Sequence, residues 1–161
     1  MSAGGPGSDG LHPEARERIA RAIHARYLEN QRTRKPATDP AMQPWDELAE
    51  ALKESNRAQA GDIARKLAAI GYRLNATGGP PPLALTGEQV ERLAVLEHER
   101  WVAERQAAGW TLGPVKDVER RVTPYLVDWA ELAEEIREYD REAVREIPAL
   151  LASAGLKVEP A

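Results

Sequence analysis

Residues 45–50 read Trp-Asp-Glu-Leu-Ala-Glu, and residues 129–134 read Trp-Ala-Glu-Leu-Ala-Glu. The match continues at an offset of 84 residues, with 11 identities in the 27 positions from 45 to 71. Upstream the offset changes to 74, and an Ala-x-x-x-His-x-Arg-Tyr string ending at Tyr27 aligns with Ala-x-x-x-His-x-Arg-Trp ending at Trp101. Self-similarity at a fixed period is the mark of a repeat architecture. The sequence therefore contains two divergent copies of one unit.

The duplication predicts four segments along the chain. They are a flexible N-terminal tail over residues 1–15, a first repeat over 16–74, a linker over 75–87 and a second repeat over 88–158. The linker contains Gly-Gly-Pro-Pro-Pro, a semi-rigid spacer that is incompatible with a helix or a central strand. The change of offset gives the second repeat ten more residues in its middle loop.

Hydrophobic spacing predicts an all-α fold, with a helix, a loop, a short helix and a longer helix in each repeat. Ile19, Ile23 and Tyr27 recur at helical intervals, and no period-two alternation is long enough to indicate a sheet. The counterpart helix carries an apolar face that ends at Trp101, behind a capping box at residues 86–89.

Single residues predict where the later helices begin and end. Ser55 is the predicted N-cap of the longer helix of the first repeat, and Gly71 and Gly155 are predicted to end the two longer helices. Pro148 lies inside the second of them, so a kink or a division is expected there.

Composition excludes several classes of function. The sequence has no cysteine, so disulfides, thiolate catalysis and thiolate metal sites are excluded. It has three histidines and none of the HExxH, Walker, G-x-S-x-G or GxGxxG signatures. We therefore predict no enzymatic activity, no cofactor and no metal. The net charge of −4 argues against binding DNA or RNA, and the lack of a signal peptide or long apolar run predicts a cytoplasmic protein away from membranes.

Each repeat offers a pair of residues that could bind a ligand from one helix face. His24 and Tyr27 lie three positions apart, as do His98 and Trp101, and Arg105 follows one turn later. The alternative interpretation is that each aromatic ring belongs to the core and each histidine is a hydrogen-bonded packing residue. Repetition does not separate the two, because packing residues are also retained.

Further candidates come from the loops and from predicted helix starts. Both middle loops are basic, and a guanidinium beside an aromatic ring suits an anionic, flat-ringed ligand such as a nucleotide; Arg34, Lys116 and Arg121 are the candidates there, unless they are ordinary solvated charges. Asn56 and Arg57 are predicted at a helix start, where backbone N–H groups favour anions, although such residues also serve as caps. Trp110, between two glycines, is either a plug on the core or one wall of a cleft.

The second repeat resembles the RyR domain, named after ryanodine receptors. The resemblance rests on Leu-Glu-His-Glu-Arg-Trp at residues 96–101, Gly-Trp-x-x-Gly at 109–113, Pro-x-Leu at 124–126 and Trp-x-Glu-Leu at 129–132. The first repeat looks like the shorter companion found in bacterial members, although it lacks the Gly-Trp-x-x-Gly loop. In addition, Thr123 stands where the family commonly has histidine.

The resemblance implies two tandem helical repeats related by a pseudo-twofold. Bacterial members are similar to sensor or adaptor modules found near nucleotide-signalling and antiviral defence systems. By that likeness, Tyr27 and Trp101 would hold a nucleotide or a nucleotide-derived second messenger between the repeats, with His24 and His98 beside the base. The alternative is a protein–protein interaction adaptor without a small-molecule ligand, which would expose an apolar patch. An enzyme such as a nucleotide hydrolase would depend on the same two histidines.

Overall fold

The computed structural model describes residues 12–75 and 83–161. The described chain is mostly helical, as predicted, with short strands that the sequence did not indicate. Its residues cluster into two compact units: residues 12–75, 83 and 147–161 form the first, and residues 84–146 form the second. The last fifteen residues thus pack with the first unit. The repeat boundaries were predicted from sequence similarity between the copies, and they stay predictions.

The first unit is built on packing of its first helix against its second helix and against the last helix of the chain. Its elements are α1 (Pro13–Gln31), α2 (Glu50–Gly61), α3 (Ile63–Ala69), β1 (Tyr72–Asn75), α6 (Ile147–Ser153) and β4 (Lys157–Pro160). The buried apolar side chains are Ala15, Ile19, Ala20, Ile23, Leu48, Ala60, Ile63, Leu67, Ile147, Leu150, Leu151, Ala154, Leu156 and Val158. They include the predicted stripe of Ile19 and Ile23, and their removal from water is the main stabilising term of this unit.

Two glycines end helices and lead into a small sheet. Gly71 follows α3 with a φ of +84°, and Gly155 follows α6 with a φ of +71°, as predicted for helix stops. The chain then enters β1 and β4, which pair antiparallel with Asn75 opposite Lys157. Each strand has four residues, too few for a period-two pattern to be recognised in the sequence.

The second unit consists of two packed helices and the long loop between them. Its elements are α4 (Gly87–Ala107), β2 (Thr111–Leu112), β3 (Val122–Thr123), a 3-10 turn (Trp129–Glu131) and α5 (Glu134–Arg145). Thr86 and Gln89 form the predicted capping box at the start of α4. The buried apolar side chains here are Val90, Leu93, Ala94, Leu132 and Val144.

The later helices begin at other residues than predicted, and each is divided in two. Ser55 is not an N-cap, because it lies inside α2, which begins at Glu50. The residues from Glu50 to Glu54 are all good helix formers, so the helix begins before the serine. The helix that contains Pro148 is divided as expected: α5 ends at Arg145, and Pro148 is the second residue of α6, where a missing N–H is tolerated. The first unit is divided at the equivalent position, between Gly61 and Ile63, with Ala64 in place of the proline, so the proline is compatible with the division and is not its cause.

The N-terminal boundary also differs. Helix α1 begins at Pro13, and the His12 ring accepts a hydrogen bond from the Glu14 backbone N–H, so three residues of the predicted tail are helical. Residues 1–11 of that tail and residues 76–82 of the predicted linker lie outside the described residues. None of the described helices combines the length and the apolar character needed to cross a membrane.

Gly113 tests how tightly the long loop of the second unit is packed. A Cβ at this position would overlap Cγ1 of Val122. We expect Gly113→Ala to lower the free energy of unfolding by about 1–3 kcal/mol, as for other overpacked sites. Urea unfolding followed by circular dichroism measures this. Gly87→Ala is the matched control, because no atom lies within 4 Å of its added Cβ and an alanine in the first turn should stabilise by about 0.4–1 kcal/mol. Equal effects at the two positions would contradict the packing argument.

Candidate functional site

In the first unit, His24 joins the first helix to the middle loop. Its side chain is buried, and Nε2 lies 2.6 Å from the carbonyl oxygen of Gln43. Because a carbonyl only accepts, Nε2 carries the proton and donates. The ring stacks on Tyr27 with centroids 6.2 Å apart, and it tilts against Trp45 at 6.1 Å. His24 is therefore a hydrogen-bonded packing residue, the alternative left open by the sequence.

The second unit contains the same arrangement. His98 is buried, and its Nε2 donates to the Val127 carbonyl oxygen at 2.6 Å. Its ring stacks on Trp101 at 6.0 Å and tilts against Trp129 at 6.2 Å. One difference is a carboxylate: Oδ2 of Asp140 lies 3.7 Å from Nδ1 of His98.

An arginine lies over the tryptophan that follows each loop. The Arg57 guanidinium is 5.6 Å from the Trp45 ring and bonds to the carboxylates of Glu17, Glu50 and Glu54. These contacts occupy its donors on several sides. Arg57 is consequently committed to the fold and is poorly placed to receive a phosphate.

Arg141 repeats this clamp in the second unit. It lies 5.7 Å from the Trp129 ring and bonds to the carboxylates of Glu91, Glu134 and Glu138. Each partner is 74 or 84 positions after its counterpart in the first unit, as the two offsets require. Sequence inspection missed Glu17 and its counterpart Glu91, because both precede the motifs that stood out.

The ion pairs shift the pKa values of their members. The hydrogen bond from Arg57 lowers the pKa of Glu17, and the hydrogen bond from Arg141 lowers the pKa of Glu91. In return, the carboxylates raise the pKa of both arginines, with Glu17 and Glu91 the largest contributors. All of these groups are therefore charged at neutral pH.

The predicted helix start at Asn56 and Arg57 is wrong. Asn56 and Arg57 lie in the middle of α2, which begins at Glu50, and Asp140 and Arg141 lie in the middle of α5. In the interior of a helix the backbone N–H groups are bonded to carbonyls within the helix. They are not available to an anion there.

Three predicted site residues of the second unit do come together. The Arg105 guanidinium lies 5.6 Å from the Trp101 ring and 5.3 Å from the Trp110 ring. All three side chains are partly exposed. Trp110 is held in place by its backbone N–H, which donates to the Arg105 carbonyl oxygen at 2.9 Å. We call Trp101, Arg105 and Trp110 the aromatic–arginine stack.

Arg121 joins the end of α4 to the long loop. Its Nη1 donates to the carbonyl oxygen of Ala108 at 2.7 Å, and its carbonyl accepts from Thr111 at 2.8 Å. Its φ is +56°, the left-handed region, which an L-residue enters at a cost of about 1–2 kcal/mol. Lys116 is exposed farther along the loop, and no contact joins it to the stack.

Tyr27 of the first unit also has a cation beside it, Lys35 of the basic loop, which lies at the hydroxyl edge of the ring. Nζ of Lys35 donates to the Tyr27 hydroxyl at 2.6 Å and lies 5.3 Å from the ring. The hydrogen bond raises the pKa of Lys35. Arg34, its neighbour, is exposed. The basic run at residues 32–35 showed that a cation was near but not which one would fold back.

The comparison with known families gives a match in the second half of the chain. Residues 85–160 match the RyR domain. This RyR segment includes the whole aromatic–arginine stack, His98 with its loop, and the C-terminal residues that pack in the first unit. Among the described residues, no group of three or more His, Asp or Glu side chains could hold a metal ion.

The ion pairs of Glu17 and Glu91 should make the free energy of unfolding depend on pH in the acid range. Their pKa values are lowered by folding, so the stabilisation is complete above the ordinary glutamate pKa of about 4.3 and is lost as the pH falls through the folded-state values. We expect Glu17→Gln and Glu91→Gln to lower stability at pH 7 and to flatten its decline below pH 4.3, in urea unfolding at several pH values. Glu29→Gln and Glu99→Gln, at exposed positions, are the controls. Identical pH profiles for all four variants would contradict the assignment.

The two buried histidines should matter for stability. We expect His24→Leu and His98→Leu each to lower the free energy of unfolding by about 1–3 kcal/mol, because a loop carbonyl loses its buried donor. Thermal and urea unfolding measure the effect. A histidine used only to contact a ligand would leave stability almost unchanged, so a loss below about 0.5 kcal/mol would restore the ligand-contact interpretation.

Proposed function

We propose that the RyR segment binds a small, flat-ringed, anionic ligand of the nucleotide class and that the protein works as a sensor of this ligand. The observation that carries the proposal is the aromatic–arginine stack of Trp101, Arg105 and Trp110. A guanidinium beside indole rings leaves its N–H edge available for a phosphate, while a base can stack on an exposed indole face.

The charges around the stack support the same ligand class. Within the described residues, Arg105 has no ion pair, in contrast to Arg57 and Arg141, which are held by three carboxylates each. Arg121 comes within 3.4 Å of the position where a Cβ on Gly109 would stand, next to Trp110. Arg121 thus lies at the end of α4, beside the backbone of the residue that precedes Trp110.

The left-handed backbone of Arg121 adds to this argument. Glycine or asparagine would adopt that conformation at lower cost, and a strained residue is a reasonable starting point for a functional hypothesis. We propose that the guanidinium is needed there for its charge as well as for its hydrogen bond to Ala108.

We also propose that the first half is a second, shorter RyR repeat and that a pseudo-twofold relates the two. Support comes from the two histidines that donate to carbonyls 84 positions apart, at Gln43 and Val127, and from the two arginine clamps with equivalent partners. Binding of a ligand between the repeats is what the resemblance implies, whereas Trp101, Arg105 and Trp110 all lie in the second unit.

The decisive test is a thermal-shift screen against ADP-ribose, ATP, cyclic mononucleotides and cyclic oligonucleotides. A ligand at 100 times its dissociation constant adds about 2.7 kcal/mol of stability. We expect a rise in melting temperature that is lost in Arg105→Gln and Trp110→Leu. The control, Arg92→Gln, removes an exposed arginine of the same helix and should keep the rise. Arg121→Gly relieves backbone strain. We therefore expect this variant without ligand to be nearly as stable as the unmodified chain and to bind the ligand more weakly.

The alternative function is an adaptor that docks a partner protein, as bacterial signalling or defence modules would require. A specific observation favours it: Leu112, Val115 and Val118 are between 58% and 72% exposed on the long loop, which is the apolar surface such a module needs. No stabilisation by any nucleotide at millimolar concentration would reject the sensor proposal and favour the adaptor. Turnover of a nucleotide that depends on His24 or His98 would instead indicate an enzyme.

A further inference from the structure

Exposed aliphatic side chains are concentrated on one loop. Leu112, Val115 and Val118 have relative exposures of 58%, 72% and 67%. We call these three residues the aliphatic crest. Among the described residues, the remaining large hydrophobic side chain with comparable exposure is Tyr139, at 58%. Apolar surface gathered in this way indicates a contact with another molecule.

The loop that carries the crest is firmly ordered. Asp117 and Val122 exchange two backbone hydrogen bonds of 2.9 Å, and Oδ1 of Asp117 accepts from the Arg120 backbone N–H at 3.1 Å. Gly113 packs closely on Val122. Ordering a loop costs conformational entropy, and here the cost is met by backbone bonds while the aliphatic side chains stay in solvent. The crest is thus a fixed surface.

Two cations, Lys116 and Arg120, lie on the same loop as the aliphatic side chains, with the exposed Glu119 between Val118 and Arg120. Lys116 is exposed, and the side chain of Arg120 is 84% exposed with only a long ion pair of 3.7 Å to Asp117. A partner that matches this surface should combine apolar groups with carboxylates.

A surface of that composition exists on the same unit, on α5. Glu135, Tyr139 and Glu142 are spaced four and three residues apart, so they share one helix face, and all three are exposed. We call them the tyrosine face. Within the described residues, the Glu135 and Glu142 carboxylates have no ion pair. Glu134 and Glu138, on another side of the helix, are both bonded to Arg141.

We infer that the aliphatic crest of one molecule docks on the tyrosine face of a second copy of this chain. Leu112, Val115 and Val118 would cover Tyr139, while Lys116 and Arg120 pair with Glu135 and Glu142. The contact joins two different surfaces, so association is head-to-tail. An anionic membrane fits the crest less well, because residues 84–146 hold 15 acidic and 9 basic side chains and the unit as a whole would be repelled.

The first measurement is sedimentation velocity of the full chain over concentrations from about 10 µM to about 1 mM, the range expected for a small contact. We expect the mass to rise above 17.7 kDa with concentration. Raising the ionic strength from about 0.05 M to about 0.5 M should weaken association about threefold to tenfold, because exposed charge pairs are screened.

Two surface variants identify the contact. Val115→Asp places a carboxylate on the crest, and Tyr139→Arg places a cation on the tyrosine face; each should weaken self-association at least tenfold. Glu88→Lys, at an exposed position of α4, is the control and should associate like the unmodified chain. An equimolar mixture of Val115→Asp and Tyr139→Arg should form dimers, because each variant keeps the surface that the other lacks.

Unchanged melting temperatures will show that the variants fold. The inference is overturned if the unmodified chain stays monomeric at the highest concentration, or if Val115→Asp or Tyr139→Arg associates like the unmodified chain. It is also overturned if the mixture is no heavier than either variant alone. Flotation of the monomeric chain with phosphatidylcholine–phosphatidylserine vesicles, lost in Val115→Asp, would assign the crest to a membrane instead. None of these outcomes depends on nucleotide binding.

Discussion

The hydrogen bond from a buried histidine to a loop carbonyl is the constraint on which each unit depends. The Nε2 of His24 and of His98 donates to the carbonyl oxygens of Gln43 and Val127, respectively, and both imidazole rings are buried. An unsatisfied buried group costs about 1–3 kcal/mol. The bond therefore fixes the loop against the helix, and the tryptophan that follows the loop comes to lie on the imidazole ring.

The arginine clamp builds on this placement. Once Trp45 and Trp129 are fixed, Arg57 and Arg141 can cover their rings and gather carboxylates from two different helices. Such pairs contribute little when isolated on a surface. Here each guanidinium serves three carboxylates and one ring, so its loss would leave several groups unpaired at once. Retention of the Trp45/Trp129 and Arg57/Arg141 positions in both copies is explained by this shared network.

The sequence predicted the helical class, the first helix of each repeat and the glycine stops, because these depend on local spacing and on backbone conformations that favour glycine. It also brought Trp101, Arg105 and Trp110 forward as candidates. It failed where another local preference or a tertiary contact determined the outcome. Ser55 is a good cap by type, yet a run of helix-forming residues starts α2 earlier. Arg57 was a candidate for binding an anion, but its guanidinium is bonded to Glu17, which lies 40 residues away in the sequence.

The long loop of the second unit shows how a repeated frame can carry features of its own. The frame secures both ends of the loop: Trp110 and Thr111 bond back toward α4 and Arg121, and Val127 is fixed by His98. Between these anchors, backbone bonds and one left-handed arginine determine the path, so the aliphatic side chains are not required for the core. Residues freed from packing can be selected for contact with other molecules, whereas the shorter loop of the first unit has no equivalent of Trp110 or the crest. The contacts that both copies share leave the middle of this long loop unconstrained. The features in which the second copy differs from the first lie in the same loop.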